Sequence, residues 1–184
     1  MQKTREKRRV LLIVDVQRDF FTHGALPVPH AEEILSPINK LMREFSCVIA
    51  TQDWHPAHHH SFASAHPGKK PFEQIQLYYG TQTLWPDHCV QGSKGAEFHP
   101  ELEQNHIHFI LRKGYRIQSD SYSAFFENDK TPTGLENLLR PKEDIDLFIC
   151  GLARDYCVQY TYQDALSLGY DARVIEEACR GINN

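Results

Sequence analysis

The sequence predicts an α/β domain: an open, mostly parallel sheet of about five strands with helices on both faces. Short apolar runs without polar alternation, as in VLLIV at 10–14, read as strands buried on both sides. Between such runs lie stretches whose apolar residues recur at helical spacing. The two kinds alternate along the chain, and strand, helix, strand in repetition is the pattern of a parallel sheet.

Taken in order, VLLIV is the first strand. AEEILSPINKLMREF at 31–45 follows, with Ile34, Leu35, Ile38, Leu41, Met42 and Phe45 on one helical stripe. Pro37 marks either a break or a fresh helical start after Ser36. CVIA (47–50), IHFIL (107–111) and DLFIC (146–150) are further strands, and ARVIE (172–176) is a weaker fifth. DYCVQYTYQDALSLGY reads as a helix closed by Gly169. Residues 54–105 are rich in Pro, Gly and His and read as one long functional loop region.

At 184 residues and 41% hydrophobic, the chain is long enough for a single domain, residues 1–184, with a sizeable core. A net charge of -4 gives no general reason to expect nucleic acid, and the basic run KTREKRR within residues 1–9 reads as a solvated tail. No apolar stretch approaches the roughly 20 residues of a membrane span, and no secretory segment opens the chain, so a cytoplasmic protein is expected. Five cysteines without CxxC pairing fit free thiols in a reducing compartment. Cys47 and Cys150 lie in strand-like runs and read as small buried hydrophobes.

In open parallel sheets ligands bind beyond the carboxyl ends of the strands. Asp15 follows the first run, Asp53 and His55 the second, Lys113 the third, and Cys157 the fourth. Each alone has an ordinary structural explanation; a carboxylate, a metal-type pair, an ammonium and a thiol facing one crevice do not share one. A cysteine in the first turn of a helix, near an ammonium, is expected to shift toward thiolate. Asp15 would take the thiol proton and return it to a leaving group, with Lys113 stabilising the moving charge. That combination suits acyl transfer from an amide. The tract TQDWHPAHHHSF at 51–62 is left open by composition alone, since His-rich runs suit a metal and a wet loop equally.

The segments LLIVDVQRDF, TQDWHPAHHHSFAS, LWPDHCVQGSKGAEFHPEL, RKG with SDSYSAFF downstream, GLARDYCVQYT and EEACRGIN resemble, in order and spacing, those of the nicotinamidase/pyrazinamidase type of isochorismatase-like cysteine hydrolases. The resemblance implies hydrolysis of nicotinamide, with pyrazinamide as a second substrate, to the acid and ammonia in NAD salvage. It implies a thioester on Cys157, with Asp15 and Lys113 completing the triad. It also implies one divalent ion (Zn, Mn or Fe) held by Asp53, His55 and His88, with ligation by His59 left open. A cis peptide before Ala153 would aim the Ala153 and Cys157 N–H groups as an oxyanion hole. Phe20, Trp85 and Tyr122 would line the pyridine pocket, with Gln17 and Tyr156 as weaker candidates.

The chain departs from the family pattern at Arg18 and Arg154, which stand where asparagine and a small polar residue are usual. It is also C-terminally short of the family's six strands, which would leave ARVIE as a sheet edge open to a second copy in a homo-oligomer. Two alternatives stay open: another cysteine amidohydrolase of the superfamily acting on a carbamoyl or ureido amide, and a metal-binding pseudoenzyme.

Overall fold

The structure, a computed structural model, describes residues 7–183. The main sheet comprises β1 (Arg8–Val14), β2 (Cys47–Asp53), β5 (Phe109–Lys113), β6 (Ile145–Gly151) and β7 (Asp171–Cys179). Its order is β5-β2-β1-β6-β7 and every pairing is parallel. The predicted five-strand parallel architecture is therefore the observed one, with the ARVIE strand at one edge and β5 at the other.

The central strands are apolar because both of their faces are covered. Val10 to Val14 are all fully buried, and each such side chain contributes roughly 1.5–3 kcal/mol relative to exposure. Helix α1 (Leu35–Met42) packs against β1 and β7, and α3 (Gln159–Ser167) packs against β7. A short α2 spans Leu135–Leu138. Pro37 marks a fresh start rather than a break inside one helix: a 3₁₀ turn over Ala31–Ile34 precedes α1, and Pro37 lies in its first turn, where a missing N–H costs nothing.

Two expectations need correction. The basic run is only partly a tail: residues 1–6 lie outside the described residues, but Arg8 and Arg9 begin β1. Lys7 pairs with Asp171 at 3.1 Å and Asp146 at 3.4 Å, and the Arg9 guanidinium lies over Phe45 and Phe148. The 54–105 region is not all loop, because β3 (Gln74–Leu77) and β4 (Gly80–Thr83) form an antiparallel hairpin within it. No helix among the described residues is long and apolar enough to cross a membrane.

The long segment after β2 is fastened back onto the strand ends by its backbone. His55 donates its N–H to Cys89, Trp85 to Ser61 and Ala63 to Trp85, at 2.8 to 3.0 Å. These ties bring a second set of side chains to the carboxyl ends of β1, β2, β5 and β6.

Candidate active site

Lys113, the last residue of β5, is fully buried at the centre of the crevice. Its Nζ lies 2.5 Å from Asp53 Oδ1, 2.8 Å from Asp15 Oδ2 and 3.5 Å from Cys157 Sγ, and it donates to the Ser121 carbonyl at 2.7 Å. Burial alone disfavours the ammonium, but the two carboxylates hold its pKa well above the ordinary value. One cation thus joins a thiol and two carboxylates delivered by four strands.

Asp15 follows β1 in a left-handed conformation, φ 50°, which aspartate tolerates better than most residues. Thr51 donates its hydroxyl to Asp15 Oδ1 at 2.6 Å, and the Lys113 ammonium faces the other oxygen. Burial raises this carboxyl to about 6; Lys113 opposes the rise and the nearby Asp53 adds to it.

Cys157 sits in a single π-helical turn, Arg154–Val158, that leads into α3. The burial of the thiol opposes the expected shift toward thiolate. Burial pushes Cys157 well above the usual thiol value; Lys113 pulls the other way, but Asp15 and Asp53 reinforce the rise. The peptide between Leu152 and Ala153 is cis, and Ala153 and Cys157 share one pocket wall.

Asp53, His55 and His88 form a second cluster whose donor atoms lie within 4.8 Å of one another. The His55 ring nitrogen Nδ1 is 2.8 Å from the Gly114 carbonyl, and the His88 Nδ1 is 2.8 Å from the Pro86 carbonyl. Each carbonyl therefore accepts a hydrogen bond from Nδ1–H, which makes Nε2 the lone-pair nitrogen of the neutral ring. Those two Nε2 atoms face Asp53 Oδ2, at 3.7 Å for His55 and 3.8 Å for His88. Gly114 is itself shaped for this contact, with φ 65°, and a Cβ there would meet His55 Cε1 at 2.5 Å. Burial lowers His55 to about 4, so its imidazole is neutral. Its Nε2 is buried and has no hydrogen-bond partner among the described residues. Two imidazole nitrogens and a carboxylate oxygen converging on one point fit a divalent ion of intermediate softness. The neighbouring group of Asp15, Asp53 and Cys157 is also close-set, but the Lys113 ammonium already fills it.

His59 does not join the cluster. Its Nδ1 meets the Ser61 hydroxyl at 2.7 Å and its Nε2 faces the Arg116 carbonyl at 2.9 Å, so both ring nitrogens are used. Phe20, Trp85, Tyr122 and Tyr156 line a narrow pocket together with Asp53, His88 and Cys157. Trp85 and Tyr122 are locked by a 3.1 Å bond from the indole N–H to the phenol oxygen, and Tyr156 meets Trp85 edge-on at 4.9 Å. Gln17 is not in the pocket wall. Its amide donates to the Asp53 and Ala96 carbonyls and accepts the Asp53 N–H, holding the donor strand in place. Arg18 pairs with Glu97 at 3.2 Å and Arg154 forks onto Glu176, and neither lines the pocket.

Three residues beyond those read from sequence belong to this region. Thr51 bonds the Asp15 carboxylate. Asp120 lines the pocket with Oδ1 at 3.9 Å from His55 Nε2, and Gln82 on β4 donates to Asp120 Oδ2 at 2.8 Å. Asp120 falls within the SDSYSAFF segment, which was a usable signal; nothing local marks Gln82.

Fold and site together define an open α/β protein with a thiol-centred polar cluster beside a three-donor metal-type cluster. The chain belongs to the isochorismatase family, whose domain matches residues 9–184. It is 48% identical to the nicotinamidase of Escherichia coli over 95% of this chain and 84% of that protein. A solved Acinetobacter baumanii nicotinamidase/pyrazinamidase, 47% identical, superposes with a TM-score of 0.93 over 100% of this chain and 88% of its own. A Pyrococcus horikoshii pyrazinamidase solved in complex with zinc is 33% identical, with a TM-score of 0.75 over 96% of this chain and 88% of its own.

Proposed function

We propose that this protein is an amidohydrolase that converts nicotinamide, and pyrazinamide as a second substrate, to the carboxylic acid and ammonia in NAD salvage. The observation that carries the residue assignment is the single buried ammonium of Lys113 placed against Cys157, Asp15 and Asp53 at once. The 48% identity to a nicotinamidase over nearly the whole chain supports the choice of amide over the carbamoyl and ureido alternatives.

Cys157 is the nucleophile. Because burial favours the neutral thiol, proton removal accompanies attack instead of preceding it. Asp15 takes the thiol proton as the Cys157 sulfur bonds to the amide carbon, with Lys113 balancing the charge as it moves. The proton passes to the departing nitrogen, the C–N bond breaks, and ammonia leaves an acyl thioester. Water then attacks the thioester with Asp15 as base, which releases the acid and restores the thiol. The Ala153 and Cys157 N–H groups are the proposed donors to the oxyanion. Phe20, Trp85, Tyr122 and Tyr156 hold the ring and exclude water.

Asp53, His55 and His88 would hold one divalent ion, of the Zn, Mn or Fe type. When bound, that ion supplies a Lewis-acidic position for the ring nitrogen, which orients the carboxamide against Cys157.

Incubation with nicotinamide under rapid quench tests this reading. Ammonia release with a transient nicotinoyl adduct on the peptide containing Cys157 is the expected result. Ammonia release with the adduct on another residue would overturn the assignment of Cys157, and the absence of ammonia would overturn the amidase reading.

A further inference from the structure

The segment after β7 closes the outer side of the pocket. Ile182 lines it beside Leu26 and Tyr156. The ladder of β7 ends at Cys179, so the sheet does not place Ile182. Its position is set from the nucleophile's own turn. Asp155, two residues before Cys157, accepts the Ile182 N–H through Oδ1 at 2.9 Å. Its Oδ2 accepts the Asn183 N–H and the Asn183 side-chain amide, each at 2.9 Å. Arg154 adds a second tie, donating its N–H to the Arg180 carbonyl at 2.8 Å and its guanidinium to Glu176 at 2.7 and 2.8 Å. Gly181 permits the approach, since a Cβ there would stand 3.1 Å from Asp155 Oδ1.

We propose that Asp155 is a positioning residue and Ile182 a specificity-determining residue: the carboxylate straps residues 181–183 to the turn that carries Cys157, so nucleophile and outer pocket wall are held as one unit. This rests on the amidase reading above. The wall it creates suits a flat carboxamide on a single unsubstituted ring, because a branched aliphatic side chain in the wall of a narrow pocket competes with a ring substituent for space. Asp155 itself touches neither the substrate nor the reacting atoms, and it acts through Ile182.

The test compares wild type with Ile182→Ala, Asp155→Asn and Asp155→Ala, using nicotinamide and the singly ring-methylated nicotinamides. One methyl group in an apolar pocket is worth roughly 10–200-fold in kcat/KM. Ile182→Ala is expected to shift the ratio of kcat/KM toward at least one methylated substrate by about tenfold, at the low end of that range. Asp155→Ala is expected to reproduce the shift and to raise KM more than it lowers kcat. Asp155→Asn, which keeps one acceptor oxygen, should fall between. Amide hydrogen exchange gives a readout free of activity: the Ile182 and Asn183 N–H groups should exchange slowly in wild type and fast in Asp155→Ala. Should Asp155→Ala fail to fold, Asp155→Asn and Ile182→Ala carry the same comparison. Unchanged selectivity in folded variants, or unchanged exchange at Ile182 and Asn183, would overturn the strap. A wild type inert toward nicotinamide but with protected 182 and 183 amides would instead overturn the amidase reading and leave the strap standing.

Discussion

The thiol half of the crevice and its metal-type half meet at one residue, Asp53, yet they hold their atoms by different means. In the thiol half, Asp15 and Lys113 come from strand ends and Cys157 from the π-helical turn after β6, and a buried cation fixes their mutual positions. In the metal-type half, two imidazoles are oriented by backbone carbonyls of Gly114 and Pro86, delivered by loops. Asp53 gives one oxygen to each half, Oδ1 to Lys113 and Oδ2 toward His55 and His88. Burial acts on both halves, favouring the neutral thiol on one side and the neutral His55 imidazole on the other. The halves are therefore suited to different tasks: one to move a proton during attack, the other to present lone pairs.

The largest way to break this division is to remove the sulfur. Cys157→Ala should reduce ammonia release from nicotinamide to background while far-UV circular dichroism and thermal unfolding stay near wild type, because alanine keeps the packed stem. Alkylation of wild type should favour Cys157 over the fully buried Cys150. Next in size is Asp15→Asn, nearly isosteric but unable to accept a proton, which should lower kcat by roughly 10²- to 10⁴-fold. Near-normal turnover would make Asp15 an ordinary strand-end group tied to Thr51.

Gly114→Ala attacks the other half alone. An added Cβ would collide with the His55 ring, and φ 65° adds backbone strain. Metal affinity measured by titration calorimetry should fall by about 10–100-fold, the range typical when a ligand's supporting contact is lost. The rate of Cys157 alkylation should change little; a parallel loss of both would show that the halves are not separable.

A smaller effect lies outside both halves. Glu127 is 2% exposed, and neither of its carboxylate oxygens finds a hydrogen bond among the described residues. Burial raises it to about 7, with Arg116 3.7 Å away opposing the rise. The folded state then binds a proton more tightly than the unfolded chain, whose value is near 4.5. Its contribution to stability is fully present below about pH 4.5 and is lost as pH rises through about 7. Glu127→Gln should remove this slope and raise the melting temperature near pH 8 by about 2–4 °C, corresponding to about 1 kcal/mol. An unchanged slope would show that Glu127 is solvated.

The same contrast decides what could be read in the sequence. Asp15, Asp53, Lys113 and Cys157 were legible because each follows an apolar run, and a parallel sheet brings such ends together. The fifth strand was underestimated: ARVIE extends to Asp171–Cys179, because polar residues at an edge hide its length. Thr51, Asp120 and Gln82 went unassigned because their partners lie 36 to 38 residues away and no local pattern reports them. The hairpin was hidden for a related reason, since QIQL and GTQT pair in a small separate sheet outside the core. Sequence and structure differ on the thiol's ionisation because sequence shows the helix and the lysine but not the depth at which the sulfur is buried.

The division of labour is tested most directly by ammonia release from nicotinamide, pyrazinamide and benzamide, each with the divalent ion present and after chelation. If the Asp53, His55 and His88 half reads the ring nitrogen while Cys157 performs the attack, nicotinamide and pyrazinamide should be hydrolysed by the metal-loaded protein and benzamide should lose much of its kcat/KM. Chelation should then hurt nicotinamide far more than benzamide. Comparable rates for all three amides with metal present, or equal losses on chelation, would contradict the account.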